Sequence, residues 1–332
     1  WFQLLFCDQW SVVVITRHGI NFPLVKLNND QTQWQCDPVN YNFRSNNFSS
    51  NTRLSIHYDQ KLKINGNCDP GQLLPLGYLQ HQNLSNQLKV LYSDLINNRS
   101  LRTAAQQEAQ LSMNALATKL NSPINEAHQP SRNLATLQSP PQCAFADLYK
   151  QNIRQKLLQE ELINIQSKLN QNLSWDQLGE QVVNRLQAGL QPPFQLSEED
   201  VQLILSQSQM FWSLLFNENF QLKTFLMVQV GPFIQDLAYY MENEPFTVVS
   251  GFDYTVAALG SILVAESSKQ PGFASFLAIE SFDNDTVAVK AKFGDEEPQY
   301  VKQKACGRVL CNIKQVYQLM DKFDIDLAER DE

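Results

Sequence analysis

The chain has 332 residues, 43% of them hydrophobic and 18% charged, enough for a sizeable core in one large α/β domain or in a core with an inserted subdomain. Its net charge of −8 excludes a general nucleic-acid surface, because phosphate backbones need clustered Lys and Arg. No run of about 18 apolar residues occurs, so no transmembrane segment is expected in this chain.

The sequence opens on Trp1, which reads as a processed or truncated product. Ser11–Thr16 is a short β-branched run and reads as a buried strand ending on Arg17-His18-Gly19. Residues 28–70, rich in Asn, Asp and Ser, read as a long loop. Leu73–Leu95 has helical apolar spacing, with Leu76, Leu79, Leu84, Leu88 and Leu91 as candidates for its buried face. Residues 104–120 read as a second helix, and 121–142 as a loop. From Ala144 to Asn243 the pattern is almost wholly helical, with a helix start at Ser197-Glu198-Glu199-Asp200 and Ser197 as N-cap. Aromatics at helical spacing there, Phe211, Trp212 and Phe216, read as core. Strand character returns at Phe246–Phe252, Phe276–Phe282, Thr286–Phe293 and Gln299–Ala305, the last two flanking a charged turn as a hairpin. Residues 312–328 read as a closing helix, and the acidic end from Asp324 as a solvated tail. The outline is an α/β core split by an all-helical insertion.

Six cysteines, Cys7, Cys36, Cys68, Cys143, Cys306 and Cys311, are an even set compatible with disulfides and an oxidising lumen. None shows C-x-x-C spacing, so no metal site is expected. Sequons at Asn47, Asn83, Asn98, Asn172 and Asn284 fit a lumenal glycoprotein, although a chain this rich in Asn and Gln produces several by chance.

The segment with the most chemistry is Thr16-Arg17-His18-Gly19-Ile20-Asn21-Phe22-Pro23. A His at the C-terminal end of a strand faces the crevice where open α/β sheets bind ligands. An Arg beside it offers a fork of donors to a phosphate. Taken alone, Arg-His-Gly reads more readily as a loop with a satisfied histidine. His57, His81 and His128, in polar or helical surroundings, read as structural or exposed.

With its neighbours, the segment resembles the R-H-G-x-R-x-P signature of the histidine acid phosphatases, a branch of the histidine phosphatase superfamily, with Asn21 in place of the second Arg. Further resemblances follow in the family's order over roughly residues 11–325. Gly71–His81 resembles the G-x-L-T-x-x-G-x-x-Q-H helix start, and Ser250–Thr255 resembles S-x-H-D-x-T with Phe252 in place of His. Phe273-Ala274-Ser275 with Glu280 resembles the next strand, and Cys306 with Cys311 a small cysteine loop.

The resemblance implies a mostly parallel central sheet with flanking helices, as in phosphoglycerate mutase-like folds, in residues 1–142 and 244–332. An inserted all-helical cap subdomain would occupy residues 143–243. It implies His18 as the nucleophile that forms a phosphohistidine and Asp253 as the acid that protonates the leaving group. Arg17 and Arg102 would bind phosphate, Arg102 fitting the spacing of the family's R-S-T motif, ten residues before Ser112; Arg99 resembles that motif locally but is three residues off. In this register Glu108 replaces a further family Arg. Asn21 is then a shorter, neutral donor, and Phe252 is none at all. A Cys306–Cys311 disulfide is expected, and Cys36 and Cys68 would clamp the long loop; the sequence leaves open whether Cys7 and Cys143 pair.

Two functions follow from this reading. One is a pseudophosphatase kept as an accessory subunit of other protein subunits or as a binding module. The other is an acid phosphomonoesterase working through His18. A phosphorylated small molecule or anion bound without hydrolysis would also suit Arg17, His18 and Arg102. No cofactor is expected. The compartment is an oxidising lumen (secretory, extracellular or lysosome-like) or, alternatively, the mitochondrial intermembrane space as part of a membrane complex.

Overall fold

The computed structural model describes residues 9–28, 30–36, 68–104, 106–120, 144–193, 195–216, 220–265, 270–294 and 296–324. The chain is α/β, built on one mixed sheet. Strand β1 (Gln9–Arg17) is followed by helix α1 (Pro75–Leu91), β2 (Arg99–Thr103) and α2 (Gln107–Leu120). Five helices come next: α3 (Ala144–Arg154), α4 (Gln159–Leu169), α5 (Trp175–Gln187), α6 (Glu198–Leu215) and α7 (Phe220–Asn243). The chain then returns to the sheet through β3 (Phe246–Gly251), α8 (Asp253–Leu263), β4 (Phe276–Phe282), β5 (Thr286–Lys292), β6 (Gln299–Val301), β7 (Leu310–Asn312) and α9 (Ile313–Met320).

The strand order is β2-β3-β1-β4-β5-β6, with β7 also paired to β5. Only β2, β3 and β1 run parallel; β4 to β7 join antiparallel. The expectation of a mostly parallel sheet is therefore corrected to a mixed one. Parallel pairing needs long crossovers, which exist before β3, whereas short turns after β4 and β5 return each strand antiparallel.

The β-branched run in β1 is buried on both faces. Val13 and Ile15 join the core that includes α5, α6 and α7, and Val12 and Val14 join a second core with α1 and α2. A central strand covered on both sides reads as a continuous apolar run. In α1 the buried face is Gly77, Tyr78, His81, Leu84, Ser85 and Leu88. Leu76, Leu79 and Leu91, expected inward, are exposed. Ser197 caps α6 as expected, accepting from Asp200 N–H at 3.2 Å. The sequence reading missed β2, whose Arg99 and Arg102 mask a short strand held by β3. It also missed the three-residue β7.

Disulfides join Cys36 to Cys68 and Cys306 to Cys311. Cys7, Cys143, Asn47, His57, His128 and most of the acidic end lie outside the described residues. Among the described residues, no helix is long and apolar enough to cross a membrane.

Candidate active site

The parallel strands end together, and their C-terminal edge opens on a cavity of about 540 Å³. Arg17 and His18 reach it from the end of β1, Phe252 and Asp253 from the start of α8, and Gln106, Gln107 and Glu108 from the start of α2. This is the position where α/β sheets place ligands.

The backbone around His18 is fixed by the motifs that stood out in the sequence. A Cβ on Gly19 would lie 2.3 Å from the Gly77 carbonyl oxygen, and one on Gly77 would lie 2.2 Å from that of Ile20. Both positions require glycine because two backbones touch there. Gly19 N–H donates to Ser112 Oγ at 2.9 Å, and Ile20 N–H to Gln80 Oε1 at 2.9 Å. His81 Nε2 bonds the Arg17 carbonyl at 3.1 Å, so this buried ring is structural and does not line the cavity. Burial pushes its pKa down to about 3.

His18 is also buried, and its Nδ1 lies 2.8 Å from the Gly19 carbonyl oxygen. A carbonyl can only accept, so Nδ1 carries the proton and Nε2 keeps its lone pair. Burial first, then neighbouring Arg17, lowers the pKa of His18 to about 4, which leaves the ring neutral at ordinary pH. A neutral imidazole with a free Nε2 is the form a nucleophile needs.

The side chains around the His18 ring are held differently. The Arg17 guanidinium is committed to protein partners. It donates to the Pro271 carbonyl at 2.6 Å, pairs with Asp253 at 3.3 Å and lies over the Phe273 ring at 4.0 Å. Asp253 also accepts from its neighbour's Tyr254 N–H at 2.8 Å and from Gln270 at 3.4 Å. Asn21 lines the cavity, but its Oδ1 and carbonyl accept from Asn184 Nδ2 at 3.3 and 3.0 Å. Phe252 sets its ring 5.7 Å from that of His18 and offers no donor.

Arg102 is not in the cavity wall. It pairs with Glu244 at 2.5 Å and lies over Tyr240 at 4.4 Å. The expectation that it meets Arg17 and His18 is thus corrected. Side chains alternate along a strand, and Arg102 falls on the sheet face covered by α7, where Glu244 sits at the helix end. Arg99 bonds the Ile96 and Leu120 carbonyls instead. Glu280 is likewise structural, accepting from Tyr92, Tyr300 and Lys290 at 2.7, 2.8 and 3.0 Å.

Helices α3, α5, α6 and α7 supply wall residues that the sequence reading did not assign to a site: Lys150, Asp176, Glu180, Gln229 and Tyr254's neighbour Trp212. Asp176 and Glu180 are four apart on α5, on one face. Carboxylates beside the buried Trp175, Leu178 and Val182 were the available signal. Asp176 is held by Arg154 through two bonds of 3.0 and 2.7 Å. Burial, with Glu180 and Asp253 nearby, raises Glu108 to about 7. Burial, with Asp253 nearby, does the same to Glu180.

A seam ties the stretch after β1 to α5 and the turn before it. Glu180 accepts from Leu24 N–H at 3.3 Å, Gln181 donates to the Val25 carbonyl, and Gln171 donates to that of Lys26 at 2.8 Å. Arg185 bonds Thr32 at 2.7 Å and pairs with Asp30.

No protein-family model and no curated protein matches the sequence. Solved structures do. A Hafnia alvei phytase in complex with tartrate superposes with a TM-score of 0.61 at 11% identity, covering 96% of this chain and 99% of that one. The same phytase with myo-inositol hexakis sulphate gives 0.60 at 12%, over 96% and 99%. A Citrobacter braakii phytase gives 0.60 at 13%, over 96% and 98%. At such identities the likeness establishes the fold, which is that of these phytases.

Proposed function

We propose that this chain is a histidine-acid-phosphatase-like protein that no longer turns over phosphomonoesters at a useful rate and serves as an accessory subunit or binding module. The observation that carries this reading is the wall around His18. Glu108 and Glu180 stand in it, neither with an ion-pair partner among the described residues, while Arg17 is held by Asp253 and Phe252 has no donor. A transferring phosphoryl group needs preplaced positive charge and donors, and each donor lost costs roughly 10²–10³ in rate. Carboxylates at that position add repulsion. In this reading residues 143–243 act as a cap over a core of 1–142 and 244–332. Any phosphorylated small molecule or anion would bind weakly through Arg17 and Asn21.

A second reading has its own support. His18 is neutral with the tautomer a nucleophile needs, and at about pH 5 Glu108 and Glu180, with pKa values near 7, are uncharged. Residual acid phosphomonoesterase activity through His18 would therefore be confined to acidic pH. The two disulfides fit an oxidising compartment. We place the chain in the secretory, extracellular or lysosome-like lumen, with the mitochondrial intermembrane space as the alternative. The exposed sequons at Asn83, Asn98, Asn172 and Asn284 favour a glycoprotein.

A chromogenic phosphate ester at about pH 5 tests the proposal. The native chain is expected to match its His18→Ala variant, and the double change Asn21→Arg with Phe252→His to exceed both by about 10-fold or more. Robust native activity that His18→Ala abolishes would overturn the pseudophosphatase.

A further inference from the structure

The same cavity carries a charge pattern that suits another ligand. Its wall holds four carboxylates, Glu108, Asp176, Glu180 and Asp253, against two cations, Arg17 and Lys150. Asp176 and Asp253 are paired with Arg154 and Arg17. Among the described residues neither Glu108 nor Glu180 has an ion-pair partner, and Lys150 forms no ion pair, its Nζ lying 5.0 Å from the Tyr254 ring instead. Two acids brought from different helices to one cavity wall repel each other when both are ionised, and the molecule gains if a counter-charge enters.

A second, independent feature points the same way. Gln229 is 2% exposed and forms part of the wall, yet its Oε1 has no hydrogen-bond partner among the described residues. A buried amide oxygen left open costs free energy until a donor reaches it. The rings of Phe252, Tyr254 and Trp212 also line the cavity, and aromatic faces attract cations. Among the described residues no group of three or more His, Cys, Asp or Glu could hold a metal ion.

We propose that this cavity binds a small organic cation, an amine or guanidinium whose N–H groups are shared by Glu108, Glu180 and the Gln229 amide. The inference rests on the pseudophosphatase reading, in that phosphate is not the ligand of the pocket. The groups that face the two glutamates are Asp253, Asp176, Arg17, Lys150 and neutral His18. Since both glutamates lose their protons near pH 7, binding strengthens as pH rises through that value.

Calorimetric titration of the full chain with agmatine, beside inorganic phosphate, at about pH 8 and about pH 5.5, tests the site. Agmatine is expected to bind at least about 10-fold tighter at the higher pH and tighter than phosphate there, one decade being about 1.4 kcal/mol. The double variant Glu108→Gln with Glu180→Gln, which removes buried repulsion and keeps shape, should lose that affinity. Gln229→Leu should weaken it. No heat with millimolar agmatine at the higher pH, or binding unchanged in the double variant, overturns the cation site. Because the phosphate ester assay is read separately, an inert chain that ignores agmatine sinks only this inference. A chain that prefers phosphate at both pH values sinks both readings.

Discussion

The loop that presents His18 and the wall that faces it differ in kind. The loop is made of backbone. Gly19 and Gly77 touch, Gln80, His81 and Ser112 each satisfy a main-chain group, and the ring of His18 is oriented by its neighbour's carbonyl. The wall is made of side chains from α2, α3, α5, α6, α7 and α8, and beside His18 it holds acids and a Phe. A position defined by backbone contact admits few residues, because any change displaces the fold. A side chain that only projects into a cavity can change at little cost to stability. The fold and the placement of His18 can therefore persist while the residues of the wall change.

This contrast can be broken experimentally, and the largest effect should come from the backbone contact. Gly77→Ala would force a Cβ to 2.2 Å from the Ile20 carbonyl. We expect a loss of about 3 kcal/mol or more, read as a large fall in the chemical-denaturation midpoint. A near-neutral result would mean that the loop is softer than its contacts imply.

Smaller effects belong to the wall. Glu108 is raised from its usual 4.5 to about 7. Between those values the folded chain holds a proton that the unfolded chain releases, so stability falls as pH rises from about 4.5 and is lowest above about 7. Glu108→Gln should remove that loss. Its melting temperature should exceed the native one by about 2 °C or more at pH 8 and by little at pH 4.5. His18 acts in the opposite sense. Its pKa is lowered from 6.5 to about 4, so its contribution is lost as pH falls through that window. A Glu108→Gln variant with the native pH profile would show that the carboxyl is solvated after all. The smallest effect expected is at the seam, where Asn184→Ala removes two bonds to Asn21 and should cost about 1–2 kcal/mol in denaturant titration.

What the sequence disclosed follows the same division. The β1 run, the glycines beside His18, the Ser197 cap and the β4–β5–β6 meander were legible, because local chemistry dictates them. So were the two disulfides. β2 was not, since its residues are polar and only pairing with β3 makes them a strand. Arg102 had the right spacing, but the face it takes is decided by strand register and by Glu244, far away in sequence. Glu180 had one local signal, a carboxylate beside buried Trp175, Leu178 and Val182, whereas Lys150 and Gln229 enter the cavity wall through helix packing, which no local pattern records.

The seam between residues 21–32 and α5 also makes the molecule redundant in its own connectivity. β1 is bracketed by β3 and β4, both contributed by residues after 245, and the stretch that follows β1 is laced to helices more than 100 residues later. One cut anywhere between α2 and α3 would yield two polypeptides interleaved in a single sheet. They could part only by unfolding it, so a nicked chain would run as two bands under reducing, denaturing conditions and as one particle under native ones.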